Sequence, residues 1–164
     1  LKTHAALIPF LLTAALAACD KPAGPAVPAS TAVPAEIHWT EDYPAALAQA
    51  KAENKLLLLN FTGTDWCVPC QILEHTVFDS PGFRTWAGDK YILVTLDFPN
   101  RKQQDDALKA RNKTLKEQYK VEGFPTILIL DPAGKERART LGFDEDKTAA
   151  AWFAEVDAQL EKSK

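Results

Sequence analysis

Residues 56–61 read Leu-Leu-Leu-Leu-Asn-Phe, five apolar side chains in six positions, with none of the polar alternation of a strand that keeps one face wet. Unalternating runs of this length belong to strands buried on both faces, so the sheet that holds this one needs helices on both sides. Residues 91–98 read as a second buried strand, and residues 126–130, Thr-Ile-Leu-Ile-Leu, as a further strand.

Helical patterns alternate with these strands. After a short strand at residues 37–39, residues 40–54 form a predicted helix in which Asp42 can cap, Pro44 suits the first turn, and Ala46, Leu47 and Ala50 share one side. The next helix starts at Cys67 and runs to about Phe78, with Ile72, Leu73 and Val77 inward, followed by a Ser80-Pro81-Gly82 break and a short helix through Trp86. Residues 105–119 space Leu108, Leu115 and Tyr119 helically, and the turn Asp131-Pro132-Ala133-Gly134 leads to a hairpin strand at residues 135–142. A last helix is expected from near Asp144, where three acidic residues suit a helix N-terminus, with Trp152, Phe153, Val156 and Leu160 on one stripe. The order βαβαβαββα predicts an α/β domain, a mixed central sheet with helices on both faces.

The chain of 164 residues is longer than this domain needs. Lys2 and His4 precede an apolar run that ends in small residues, the order of an export signal over residues 1–18. Leu16-Ala17-Ala18-Cys19 resembles the bacterial lipobox, whose cysteine is acylated and becomes the new N-terminus, and Asp20 after it points to retention at the inner membrane. Residues 19–36, rich in Pro and Ala, cannot bury a core and read as a semi-rigid tether, which leaves residues 37–164 as the folded domain. The expected location is the cell envelope, lipid-anchored through Cys19 and facing the periplasm. A net charge of −3, from 19 basic and 22 acidic residues, offers nucleic acid no electrostatic attraction, and no nucleic-acid partner is expected.

Chemistry is concentrated in Trp66-Cys67-Val68-Pro69-Cys70. At a strand-to-helix junction, the first thiol of a Cys-x-x-Cys lies among the unpaired N–H groups of the helix N-terminus, which favour its thiolate; Cys67 reads as the nucleophile. Cys70, one turn along and less accessible, reads as the resolving thiol. The same motif is half a zinc ribbon, but a closed zinc site takes four ligands, Cys19 is assigned to lipid, and His38 and His75 would complete the set only by coincidence of fold. No metal and no cofactor are therefore expected.

Residues 62–70, Thr-Gly-Thr-Asp-Trp-Cys-Val-Pro-Cys, with Val121-Glu122-Gly123-Phe124-Pro125-Thr126 some way on, resemble the thioredoxin-fold proteins, most of all the periplasm-facing branch that shares Phe-Thr-Gly-x-Asp-Trp-Cys. The resemblance spans residue 37 to the C-terminus. It implies a thioredoxin fold, a thiol:disulfide oxidoreductase working as a monomer, and a cis bond before Pro125 that sets this loop beside the cysteines. Trp66, Phe124, Pro125 and Thr126 are the expected substrate-binding residues, the Phe124 or Thr126 backbone pairing with a substrate strand at an exposed edge. The partners it implies are exported proteins with cysteines or disulfides, and a membrane thiol:disulfide interchange reductase as electron donor.

Pro69 before the second cysteine resembles the reducing members of the fold, while an oxidant or isomerase with the same site, or a peptide-binding lipoprotein with a static disulfide, stand as alternatives. One departure is Asn60, where most thioredoxins carry a buried aspartate that assists proton transfer to the resolving cysteine. Asp65 is expected to oppose the helix dipole at Cys67. Residues 97–102 read as an ordinary connection, His75 as a surface residue, and Trp39, Trp86 and Trp152 as core or core edge.

Overall fold

The computed structural model describes residues 36–163. The export signal, Cys19 and nearly all of the tether lie outside the described residues. Five strands, β1 (Trp39–Thr40), β2 (Leu56–Thr62), β3 (Tyr91–Asp97), β4 (Thr126–Leu130) and β5 (Glu136–Leu141), form one sheet in the order β1-β3-β2-β4-β5. β3 runs parallel to both β1 and β2, while β4 is antiparallel to β2 and β5, so the sheet is mixed as expected.

β2 sits at the centre, and its side chains divide between two cores. Leu57, Leu59 and Phe61 pack with Ala46 and Ala50 of α1 (Tyr43–Glu53) and Leu115 of α4 (Asp106–Gln118). Leu58 packs the other way, with Leu73 of α2 (Val68–Leu73), Phe83 and Trp86 of α3 (Pro81–Ala87), and Trp152 and Val156 of α5 (Ala149–Lys162). Each fully buried leucine contributes about 1.5–3 kcal/mol, which explains why the run tolerates almost no polar residue. Trp152 and Trp86 are buried in this second core, and at its edge Trp39 stacks on Phe83 and meets Phe78 at a tilt.

Several boundaries differ from the sequence expectation. α1 begins at Tyr43, because Asp42 caps it by accepting the Ala45 N–H, and it ends at Asn54 in the left-handed conformation. The first strand falls at Trp39–Thr40. α5 begins at Ala149 and not near Asp144: Thr148 caps it through the Ala151 N–H, while Asp144 is engaged in its own turn with Asp146 and Lys147. The helix after the cysteine motif widens into a π turn over Glu74–Phe78, closed by the Asp79 N–H donating to the Glu74 carbonyl at 2.9 Å. No helix among the described residues is long and apolar enough to cross a membrane.

Candidate active site

β2 ends at Thr62, and a loop of four residues delivers the chain to Cys67, the N-cap of α2. Cys67 has an extended backbone (φ −87°, ψ 100°), its N–H donates to the Gly63 carbonyl at 2.8 Å, and its side chain makes no capping hydrogen bond. One turn along, Cys70 donates its N–H to the Cys67 carbonyl, and the two sulfurs are joined as a disulfide with Cα atoms 5.3 Å apart. Both cysteines are 4% exposed, so accessibility does not separate them in the disulfide form as the sequence suggested; their positions relative to the helix end do.

The loop before Cys67 is strapped at two points. Asp97, at the end of β3, accepts the Thr64 N–H at 2.9 Å and the Thr64 hydroxyl at 2.7 Å. Asp65 accepts the N–H groups of Asn100, Arg101 and Lys102 at 2.9, 2.7 and 2.9 Å, and the Arg101 guanidinium donates back to its carbonyl. Its carboxyl is accordingly held down to about 2, chiefly by the Asn100 N–H. Asp65 is therefore the anchor of residues 100–102 rather than merely a charge set against the thiolate, and the segment read as an ordinary connection is part of the site. Nothing in the local sequence pairs residues 65 and 100; only the fold does.

The second motif arrives through β4. The Phe124–Pro125 bond is cis, and the Phe124 ring meets the Trp66 indole edge-on, with centroids 5.8 Å apart, so the two motifs are in contact. Phe98, which the sequence did not single out, completes the aromatic wall against Phe124 at 5.1 Å. Trp66 is 39% and Val68 62% exposed, two apolar surfaces flanking the disulfide. Thr126 is placed otherwise than expected: it is fully buried, flanked by Phe61 on β2 and Leu141 on β5, and its hydroxyl donates to the Gly123 carbonyl at 2.7 Å. It lies inside the sheet, where no edge is open, because β5 covers the far side of β4. The Pro125 carbonyl is likewise taken, by the Gly142 N–H.

Asn60 stands on β2 between Thr95 and Ile127, on the Leu58 face that α2 covers. Its Oδ1 is buried without a hydrogen-bond partner among the described residues. His75 is a surface residue, paired with Asp79.

A cysteine pair at a helix N-terminus, a cis-proline loop whose Phe124 meets the neighbouring Trp66, and a mixed sheet between two helical layers define a thiol:disulfide oxidoreductase of the thioredoxin fold. A family model described as thioredoxin-like matches residues 38–132, and the chain belongs to that family. It is 37% identical over 126 residues to the disulfide bond reductase DsbH of Chlamydia pneumoniae, covering 77% of this chain and 74% of that protein. A solved structure of a DsbH oxidoreductase superposes with a TM-score of 0.72 at 34% identity, covering 85% of this chain and 95% of that one. The thiol:disulfide interchange protein DsbD of Pseudomonas fluorescens is 37% identical over 95 residues, 56% of this chain but only 14% of that protein.

Proposed function

We propose that this oxidoreductase runs as a reductant of disulfides in exported proteins, tethered to the membrane. The observation that carries the direction is the setting of Cys67: a helix N-cap with free capping capacity favours its thiolate, yet no Lys, Arg or His stands within Cys67-Val68-Pro69-Cys70 to favour it further. A thiolate stabilised only moderately leaves a comparatively stable disulfide, the property of a reductant. Similarity to a protein named as a disulfide bond reductase supports the same direction.

In the dithiol form the Cys67 thiolate attacks one sulfur of a partner disulfide; a Cys67–partner bond forms and the other partner sulfur leaves as a thiolate. Cys70 then gives up its proton and attacks the Cys67 sulfur, closing the Cys67–Cys70 disulfide and expelling the second partner thiolate. Two electrons have passed to the partner, whose sulfurs take up two protons. A membrane thiol:disulfide interchange reductase restores the dithiol. During the exchange the Phe124 backbone pairs with the substrate strand beside Pro125, Trp66 presents an apolar face, and Thr126 supports the loop from within the sheet. The Leu16-Ala17-Ala18-Cys19 sequence and the Pro-rich residues after it support anchoring through lipid on Cys19, at the inner membrane and facing the periplasm, for a chain that works as a monomer.

Equilibrium titration of the Cys67–Cys70 pair against glutathione tests the direction. The expected potential lies nearer about −270 mV than about −120 mV, and a value above about −180 mV overturns the reductant reading in favour of an oxidant or isomerase. Mass spectrometry of the membrane fraction tests the tether: an uncleaved chain with unmodified Cys19 overturns it.

A further inference from the structure

Against the aromatic wall of Trp66, Phe98 and Phe124 lies a groove of 480 Å³ that continues along residues 99–104 and one side of α4. Four cations line it, Arg101, Lys102, Lys109 and Lys116, and one carboxylate, Asp106. Counting also Asp65 behind the loop, cations lead four to two in a chain whose net charge is −3.

Arg101 acts electrostatically on the Asp65 carboxylate, though not at ion-pair distance. None of the four lies within ion-pair distance of a carboxylate among the described residues, where the pairs are Lys55–Glu53, His75–Asp79, Arg139–Glu136 and Lys147–Glu155. The Lys116 ammonium instead sits 5.3 Å from the Phe124 ring centre and 6.0 Å from that of Phe98. Arg101 donates to the Asp65 carbonyl at 2.8 Å, and Lys102 to the Thr64 hydroxyl at 3.1 Å. Both are thereby fixed to the loop that carries Cys67, with the remaining donors of each head group available to an anion.

We infer that this groove receives an acidic segment of the redox partner, one that flanks the disulfide under attack and sets an apolar side chain against Trp66, Phe98 and Phe124. The inference rests on the disulfide-exchange reading above and adds to it the chemistry of the partner. A protein segment is the occupant that fits, because the groove begins at the two residues, Trp66 and Phe124, that adjoin the disulfide and the cis proline, so a chain presenting its disulfide to Cys67 can lay its flanking residues here. Aromatic surface interleaved with separated cations suits carboxylates alternating with apolar side chains along an extended strand. The attraction acts at long range, so it raises the encounter rate and is screened by salt.

The test uses the reduced protein and three synthetic peptides that share one intramolecular disulfide and a flanking Leu, with neighbouring residues Glu/Asp, Ser or Lys. The acidic peptide is expected to be reduced roughly tenfold faster than the Ser peptide at low ionic strength, with the Lys peptide slowest and the spread collapsing at high salt. In Lys109→Gln/Lys116→Gln the acidic-to-Ser ratio falls towards unity; should that variant fail to fold, the salt dependence of the native protein decides. Equal rates for the three peptides, or a faster Lys peptide, overturn the inference. So does binding of vesicles containing phosphatidylglycerol, or of a short single-stranded oligonucleotide, that outcompetes the acidic peptide. Reduction of the Ser peptide separates the two readings: if it proceeds, only the acidic preference is at stake, and if none of the peptides is reduced while the potential is oxidising, the reductant reading itself fails.

Discussion

The indole N–H of Trp66 donates to the carbonyl oxygen of Phe98 at 2.8 Å, so the residue before the first cysteine is held by the connection that follows β3. The same ring packs on Gly63 and meets Phe124 edge-on. One side chain thus joins the active-site loop, the end of β3 and the cis-proline loop.

Gly63 is what lets the ring lie there. A Cβ at that position would come within 2.5 Å of the indole, closer than any side chain tolerates, so Gly63→Ala must displace Trp66. We expect Gly63→Ala to cost about 1–3 kcal/mol in urea denaturation, with faster hydrogen exchange at the Trp66 indole. Native stability and unchanged indole exchange would show that the loop relaxes freely and that the packing constrains nothing.

The Asp65 clamp has a pH signature. Its carboxyl is lowered in the folded protein to about 2, against about 3.9 in an unfolded chain, so its contribution is present above about pH 4 and lost as pH falls through the interval to about 2. Asp65→Asn removes that carboxylate, and the stability gap between native protein and variant should shrink over this same window. Amide exchange at residues 100–102 should be faster in the variant at neutral pH. A gap that stays constant from pH 5 to pH 2 would contradict the clamp.

The layers of this fold are legible in the Leu56–Phe61 run, because a strand without a polar side leaves its sheet no exposed face. The cysteine pair is legible because its chemistry needs only local spacing and a helix start. What the sequence hides are bonds between residues distant along the chain: Asp65 to the amides of residues 100–102, Trp66 to the Phe98 carbonyl, and Lys116 over Phe124. Backbone groups carry no sequence signal, so half of each of the first two contacts is invisible. Thr126 is enclosed for a related reason: the turn signals the β5 hairpin on one side of β4, but nothing local shows that β2 pairs along the other, which leaves Thr126 no open edge. The acidic Asp144–Asp146 cluster resembled a helix start on charge alone, whereas the Thr148 hydroxyl supplies the cap.

Asn60→Asp puts a carboxylate into a site where the Asn60 Oδ1 already has no partner among the described residues. Burial raises the folded-state pKa of such a carboxyl above its unfolded value, so the variant keeps its stability at low pH and loses it as pH rises through the raised value. We expect a deficit on the order of 2–4 kcal/mol at pH 8 that is largely absent at pH 4. A deficit independent of pH would mean that the new carboxyl reaches water and that the strand face beneath α2 is not closed.

Cys67 and Cys70 should fail in different ways if their assigned roles are right. Cys67→Ser removes the sulfur at the helix N-cap, the position where a thiolate is favoured, and leaves only Cys70, one turn inside the helix and without that setting; reduction of a partner disulfide should fall to background. Cys70→Ser keeps the attacking thiolate but removes the only sulfur joined to it in the structure, so the first step proceeds and the second cannot. The expected product is a covalent adduct between Cys67 and a partner cysteine, visible as a shifted band on non-reducing gels that disappears with dithiothreitol. Adducts forming in Cys67→Ser and not in Cys70→Ser would exchange the two roles. Adducts in neither, with partner disulfides still reduced, would mean that electrons reach the partner without passing through this pair.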